Sequence, residues 1–413
     1  MMASKLSKST RHCDIYGFRP PHLTVSFVEL AKLIYPALLR LRYGHLSYET
    51  VGDLNELASL GTKRVILCPN HSLNMDNDVV FILAKLLRDQ LYYLCTREIF
   101  RKTIFNKFIL QLAGCYSVHR GALDLRSFAQ SIKILMQGKH RLVIFPEGEI
   151  SGRNNVLLPF KSGPAHIALS AVARMRKEHR EEPVYLAPIA FRYSYPKVTA
   201  KFLLDNISSI EHVLEIDGGT DLSLQHRISK ALNVIIDTLY AKYNTQPPSL
   251  PLSEKAHQLT QLIFTSLAAY VHYEPVDGLN EVESAHQLYL RLYEARWTEE
   301  QLQHQLNHSI HHTRYQALNE LIHDYHRAVN LISASQLAER SNVEDLVNLI
   351  MAVRKEVGAD QHSRTPVHLS IAFAKPILVN DFLKGQTEGV DVPHELTSLL
   401  ESSVREELNK LIV

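Results

Sequence analysis

The sequence predicts an α/β fold in which helices cover a mostly parallel sheet, with a large all-helical insertion before the last strand. Three observations lead to this prediction. Between residues 64 and 204, short apolar runs alternate with segments of helical periodicity, which is typical of a parallel sheet. From 223 to about 355, the periodicity is helical throughout. Strand character then returns at 367–377, and a helical pattern closes the chain.

Each element of the α/β region follows from its own pattern. The runs predicted as strands are RVILC, QLYYLC, CYSVHR, RLVIF and VYLAPIAFRY. The helical segments are IFNKFILQLAG, DLRSFAQSIKILMQG and SGPAHIALSAVARMRK. After the insertion, VHLSIAFAKPI is predicted as a strand and HELTSLLESSVREELNKLIV as a helix.

These patterns divide the chain into four segments. We predict an N-terminal amphipathic, membrane-associating segment, an α/β core, a helical insertion, and a closing strand and helix that return to the core. Their ranges are 1–45, 46–222, 223–360 and 361–413. The alternative is that the helical block forms an independent domain.

Composition narrows the class of protein. The formal net charge of +2 over 413 residues argues against a nucleic-acid binder that depends on bulk electrostatics. The four cysteines show no C-x-x-C spacing, which predicts free thiols in a reducing compartment. The N-terminus has no signal-peptide pattern, because no apolar region directly follows its first basic residues.

The segment LTVSFVELAKLIYPALLRL, residues 23–41, is apolar but interrupted. Glu29, Lys32 and Pro36 make it a poor membrane-spanning helix. Its apolar residues recur at helical spacing, and basic residues follow them. A helix lying in a membrane interface has this pattern. The alternative is a helix packed against the core of its own domain.

His71 and Asp76 lie five positions apart in NHSLNMD, between two apolar runs. A histidine accepts a proton from a hydroxyl near neutral pH, because its unperturbed pKa is about 6.5. A carboxylate on the other ring nitrogen fixes the tautomer and stabilises the imidazolium. The structural alternative is that Asp76 only caps the following helix.

Two further loops follow predicted strands. FPEGE places Glu147 at a strand end and Gly148 where the backbone turns sharply. GCYSVHRG ends its strand with Arg120, and arginine binds phosphate through two parallel hydrogen bonds. The alternatives are a buried structural carboxylate for Glu147 and a surface charge for Arg120. Since carboxyl ends of parallel strands share an edge, His71, Arg120 and Glu147 are expected at one site.

Together these stretches resemble the glycerophospholipid acyltransferase family, of the lysophosphatidate acyltransferase type, in a longer bacterial-like variant. NHSLNMD is similar to the family's N-H-x-x-x-x-D block, which implies that His71 and Asp76 are catalytic. GCYSVHRG, FPEGE and LAPIAF are similar to the second, third and fourth blocks, and PFKSGPAHIAL to the segment after the third. The resemblance implies substrate-binding roles for Arg120, Glu147, Gly148, Lys161 and Pro188.

The third block departs from the family pattern. Glu149 and Ile150 stand where the family has threonine and arginine. The lost cation weakens a phosphate contact unless Arg153 or Lys161 replaces it. The departure therefore leaves the identity of the acceptor open.

The resemblance implies an enzyme without a cofactor. It transfers a fatty acyl group from acyl-CoA or acyl carrier protein to 1-acylglycerol 3-phosphate, at the cytoplasmic face of a membrane, as a peripheral or monotopic protein. The alternatives are another acceptor, namely another lysophospholipid, glycerol 3-phosphate or a lyso-aminolipid, and a non-catalytic scaffold that binds lipid or acyl carrier. No metal site is predicted, because His304, His308 and His312 lie among Gln, Asn and Thr residues, which favours a solvated helix face.

Overall fold

Eight strands form one sheet in the described part of the chain. The computed structural model describes residues 18–73, 75–101, 104–118, 124–148, 150, 154–155, 157–217, 219, 222–274, 288, 309–340, 343–359, 366–383 and 391–412. The strands are β1 (Leu46–Gly52), β2 (Val65–Pro69), β3 (Tyr92–Thr96), β4 (Cys115–Val118), β5 (Leu142–Val143), β6 (Tyr185–Ser194), β7 (Val367–Phe373) and β8 (Ile377–Leu378).

The strand order is β1-β7-β6-β2-β5-β3-β4, and β8 pairs with β6. The pairs from β6 through β2, β5 and β3 to β4 are all parallel. β7 and β8 run antiparallel to β6, and β1 runs parallel to β7. The carboxyl ends of β2, β5 and β6 therefore point to the same edge of the sheet.

Helices cover both faces of this sheet. Those of the α/β part are α1 (Val25–Tyr43), α2 (Leu54–Ser59), α3 (Asp76–Leu86), α4 (Ile104–Leu112), α5 (Leu125–Gln137), α6 (Gly163–Lys177) and, near the C-terminus, α12 (Val392–Lys410). Two short 3-10 helices span Arg97–Arg101 and Val379–Leu383.

Alternation along β2 separates two apolar clusters. Ile66 and Cys68 pack with residues of α5, α6 and α12. Val65 and Leu67 point the other way and pack with residues of α2 and α3. All five residues of β2 are buried, as expected for a strand covered by helices on both faces.

Local sequence explains where α5 begins and ends. Asp124 accepts hydrogen bonds from the backbone N–H groups of Arg126 and Ser127, at 3.2 and 3.0 Å, which satisfies donors left unpaired at a helix start. Gly138 ends the helix with a φ of 60°, a left-handed conformation that glycine adopts readily.

The chain separates into two units by its internal contacts. One comprises Met1–Lys197 and Arg364–Val413, and the other Val198–Ser363. The second unit contains α7 (Ala200–Val213), α8 (Leu224–Lys242), α9 (Leu252–Tyr270), α10 (Ser309–Arg340) and α11 (Val343–Glu356). Inside it, Arg227 binds Glu211 through two hydrogen bonds of 2.8 and 2.5 Å.

The predicted fold class is confirmed: a mixed, mostly parallel sheet carries helices, and a helical region follows. The six predicted strands match β2 to β7. β1 and β8 were not predicted, because β1 is largely exposed and β8 has only two residues. The second unit begins at Val198 and therefore includes α7. The four proposed segments remain a prediction.

Candidate active site

The loops after β2 and β5 meet at the carboxyl edge of the sheet. β2 pairs with β5, and the Ile144 N–H donates to the Leu67 carbonyl at 3.0 Å just past the end of β5. His71 follows β2 by two residues, and Glu147 lies in the turn after β5. Adjacent parallel strands therefore bring together residues that are 76 positions apart in the chain.

The His71 imidazole and the Asp76 carboxylate form a direct pair. His71 Nδ1 lies 2.9 Å from Asp76 Oδ2. The Asp76 side chain is completely buried, and that of His71 is 8% exposed. Because an ionised carboxylate only accepts hydrogen bonds, Nδ1 is the donor in this pair, which leaves Nε2 as the ring nitrogen that Asp76 does not engage.

Asp76 is held by two more donors. The Leu73 backbone N–H donates to Oδ2 at 2.9 Å, and the Tyr193 hydroxyl donates to Oδ1 at 2.5 Å. Asp76 is also the first residue of α3, where the helix dipole favours a negative charge. The carboxylate is therefore fixed in place, and its free energy of desolvation is offset by hydrogen bonds.

Glu147 binds backbone rather than side chains. Its Oε1 accepts from the His71 backbone N–H at 2.5 Å, and its Oε2 from the Leu158 backbone N–H at 2.9 Å. Burial raises the pKa of this carboxyl, and the two backbone donors lower it by less. With both oxygens engaged, Glu147 positions the His71 loop, which favours the structural alternative over direct contact with substrate.

Two buried asparagines extend the sheet beyond the end of β2. The Asn70 amide donates to the Phe191 carbonyl at 3.1 Å and accepts from the Phe191 N–H at 2.6 Å. The Asn154 amide pairs in the same way with the N–H and carbonyl of Tyr193. Phe145 stacks on the His71 ring with centroids 4.1 Å apart. These contacts hold β6 in the position from which Tyr193 reaches Asp76.

Gly148 and Lys161 lie next to each other. Gly148 has a φ of +72°, and a Cβ added to it would come within 2.9 Å of Lys161 Nζ. The Lys161 backbone N–H donates to the Pro146 carbonyl at 2.9 Å. A side chain at position 148 would therefore strain the backbone and clash with the Lys161 ammonium group.

Pro188 lies inside the sheet instead of at its edge. It is buried in β6 opposite Cys68, and its backbone faces the break between β7, which pairs from Ile189 onward, and β8, which pairs up to Leu186. A missing N–H is tolerated at such a break. The position of Pro188 in the sheet therefore indicates a structural role.

Arg120 and Arg153 lie outside the described residues, as do Glu149, His304 and His308.

Sequence reasoning missed Tyr193, Asn70, Asn154 and Phe145. Tyr193 and Phe145 lie in predicted strands, and Asn70 lies just after one, whereas Asn154 lies in a loop. Their partners are distant in the chain, and no sequence spacing predicts these contacts. Within the described residues, no group of three or more His, Cys, Asp or Glu side chains is arranged to hold a metal ion.

Replacing Tyr193 with phenylalanine is expected to lower kcat by roughly tenfold, because a buried hydrogen bond to a charged group contributes about 1.5–3 kcal/mol. KM should change little, since Tyr193 acts through Asp76 and not on substrate. Steady-state kinetics of Tyr193→Phe measure both quantities. Tyr185→Phe removes a hydroxyl from the same strand as the matched control. Equal kcat values for the two variants would contradict a positioning role for Tyr193.

Part of the chain is similar to a known protein family. Residues 50–192 match the family model described as Acyltransferase. No curated protein matches the chain. The matched range contains His71, Asp76 and Glu147 and ends one residue before Tyr193. Over residues 50–192, about a third of its length, the chain is therefore similar to the acyltransferase family.

Proposed function

We propose that this protein transfers a fatty acyl group from acyl-CoA or acyl carrier protein to the free hydroxyl of 1-acylglycerol 3-phosphate, which yields phosphatidate. Acyl transfer in general is supported by the family match. The observation that carries the proposed mechanism is the buried pair of His71 Nδ1 and Asp76 Oδ2, 2.9 Å apart.

In this mechanism His71 is the general base. Its Nε2 removes the proton from the acceptor hydroxyl while that oxygen attacks the thioester carbonyl. Asp76 keeps the proton on Nδ1 and stabilises the imidazolium that forms. One well-placed base contributes about 100- to 10,000-fold to the rate.

The thiolate leaving group needs little further catalytic assistance. As the tetrahedral intermediate collapses, the C–S bond breaks and the sulfur leaves as a thiolate, whose conjugate acid has a pKa of about 8.5. The imidazolium returns its proton to solvent or to the thiolate, so that atoms and charges balance. A separate strong acid is therefore unnecessary, and positioning of the two substrates supplies much of the remaining acceleration.

The proposal includes an alternative for the identity of the acceptor. Ile150 stands where the family pattern has a phosphate-binding arginine. This departure motivates, as a second candidate, a different acceptor: another lysophospholipid, glycerol 3-phosphate or a lyso-aminolipid. Lys161 remains near the turn at Gly148 and supports a phosphate-bearing acceptor, because an ammonium group binds phosphate as a point charge.

An acceptor panel tests the proposal. Purified protein, one labelled acyl thioester and a mixed pool of acceptors are expected to give labelled phosphatidate as the main lipid product in mass spectrometry. The donor is supplied as acyl-CoA or as acyl carrier protein in separate reactions, and hydrolysis without acceptor is the control. A different main product would establish the second candidate. Lipid binding without any transfer would indicate a non-catalytic scaffold.

Association with a membrane is proposed through α1. Its exposed apolar residues recur every three or four positions, which puts them on one side of the helix: Leu30, Leu33, Ile34, Leu38 and Leu41. Leu33 is 79% exposed, whereas Val28 and Leu39 on the other side are buried. No helix in the described ranges combines the length and hydropathy needed to cross a bilayer. We propose that α1 lies in the membrane interface at the cytoplasmic face, with Pro36 inside the helix.

A further inference from the structure

A cavity of about 200 Å³ lies between α1, β1 and α3, and its lining includes neither His71 nor Asp76. We name it the α1–α3 cavity. Its apolar walls are formed by Pro36, Leu39, Leu46, Phe81 and Ile82, and by the ring of Tyr35. The Tyr35 and Phe81 rings pack with centroids 4.5 Å apart. The reaction described above uses none of these residues.

The same cavity is lined by basic side chains and by no acidic side chain among the described residues. These side chains are Lys32, Arg40, His45 and Lys85. Lys32 is already neutralised, because it donates to Glu29 at 2.9 Å and to the Asp89 carbonyl at 3.0 Å. Arg40 and Lys85 are exposed, and neither forms an ion pair within the part of the chain that the structure describes. The rim therefore offers unneutralised positive charge to an anionic group.

The volume of the cavity and the exposed apolar side of α1 beside it indicate the class of ligand. Pockets that enclose drug-sized ligands measure about 300–1,000 Å³, so this cavity is large enough for a head group but too small for a whole phospholipid. Beside it, α1 presents its exposed apolar side, with Leu33 79% and Leu41 64% exposed. A ligand with a small anionic head and long apolar chains fits both features.

We propose that the α1–α3 cavity binds the phosphate-bearing head group of an anionic membrane phospholipid whose acyl chains stay in the bilayer. Arg40 and Lys85 contact the phosphate, and the apolar walls contact the glycerol and the first methylene groups. The site is separate from the acceptor site and selects anionic membranes. It rests on the proposed membrane docking of α1 but not on the acyl-transfer chemistry.

The first test measures binding of the full chain to vesicles. We compare phosphatidylcholine vesicles with vesicles that also contain phosphatidylglycerol, at low salt. Each basic side chain near an anionic surface strengthens binding by roughly fivefold. Arg40→Gln with Lys85→Gln should therefore weaken binding to anionic vesicles by about 30-fold and leave binding to phosphatidylcholine unchanged.

A matched control removes two exposed lysines from α5 and α6, which pack on the opposite face of the sheet. Lys133→Gln with Lys177→Gln should keep the preference of the unmodified protein for anionic vesicles. If this control pair and the Arg40–Lys85 pair lose the preference equally, the charge effect is non-specific and the proposal is wrong.

The second test separates the cavity from general surface charge. Leu46→Trp fills the cavity without changing the charge. Soluble dihexanoyl phosphatidylglycerol should raise the Tm of the unmodified protein by mass action, but not that of Leu46→Trp or of the Arg40–Lys85 variant. Dihexanoyl phosphatidylcholine and inorganic phosphate, at the same concentration, should give no comparable rise. An equal rise in the Arg40–Lys85 variant would overturn the proposal, even if Leu46→Trp fails to fold.

Failure of membrane docking is distinguishable from failure of this site. Leu33→Gln with Leu38→Gln should weaken binding to both kinds of vesicle, since it removes apolar area that enters the interface. If the unmodified protein binds neither kind of vesicle, the docking of α1 is wrong, and the soluble lipid still reports on the cavity. Binding to both kinds with equal affinity would overturn the cavity proposal alone.

Discussion

Purified His71→Ala is expected to transfer acyl groups about 100- to 10,000-fold more slowly than the unmodified protein, because it lacks the proposed base for the hydroxyl proton. The loss should appear in kcat and in kcat/KM alike, since proton removal is an interaction of the transition state. The fold should persist, because the Asn70 amide still extends the sheet and Glu147 still binds a backbone N–H that alanine retains.

The experiment compares initial rates with labelled thioester, together with circular dichroism and Tm of each variant. His166→Ala is the matched control, because His166 is an exposed histidine on α6. It should retain the full rate. Near-normal turnover by folded His71→Ala would show that another group acts as the base, and the assignment of His71 would then be wrong.

Replacing Asp89 with asparagine is expected to lower the free energy of unfolding by about 3 kcal/mol, the size found when one partner of a buried ion pair is removed. The Asp89 carboxylate is fully buried. It binds Arg141 Nη1 at 3.0 Å, Lys63 Nζ at 2.8 Å and His140 Nδ1 at 3.0 Å. Lys63 precedes β2, and His140 and Arg141 precede β5. The carboxylate therefore joins loops at the amino ends of the strands, opposite the edge at which His71 and Asp76 lie.

The effect of this substitution should depend on pH. Burial by itself raises the pKa of Asp89, but hydrogen bonds from His140 and Lys63 and the charges of Lys63 and Arg141 lower it to about 2. Since the folded pKa lies below the unfolded value of 3.8, the ionised carboxylate stabilises the fold above about pH 4. This contribution is lost as the pH falls towards 2.

Urea unfolding at pH 7, 4 and 2.5 measures the expected difference between Asp89→Asn and the unmodified protein. The difference should be largest at pH 7 and should shrink at the lowest pH. Asp53→Asn is the control, because Asp53 is exposed and its side chain makes no capping hydrogen bond. It should change stability by no more than about 0.5 kcal/mol. A pH-independent difference for Asp89→Asn would contradict an ionic role.

The strands that could be predicted from the sequence are those in which the residue types alone indicate burial. RVILC is predicted as a buried strand because every residue after Arg64 is apolar, and β2 is buried along its whole length. β1 offers no such signal, since its sequence LSYETVG is largely exposed. β1 exists because β7 offers it a partner over seven residues, from Leu46 opposite Val367 to Gly52 opposite Phe373.

The candidate site likewise contains contacts that the local sequence predicts and contacts that depend on the tertiary structure. The five-residue spacing of His71 and Asp76 is local, so a strand-to-helix turn suffices to bring them together. The Tyr193 hydroxyl is 117 positions from Asp76, and its approach depends on β6 lying beside β2. Glu147 was predicted at the right edge, but its role depends on which backbone N–H groups meet its oxygens.

By itself, the sequence determined the α/β class, the histidine–aspartate pair and the turn at Gly148, because each depends on neighbours within a few residues. Only the tertiary structure decided that Tyr193 and two asparagines support the pair, that Asp89 joins three basic side chains, and that a cavity opens beside α1. The physical reason is that hydrogen bonds and ion pairs between distant segments depend on strand order, which local periodicity does not encode.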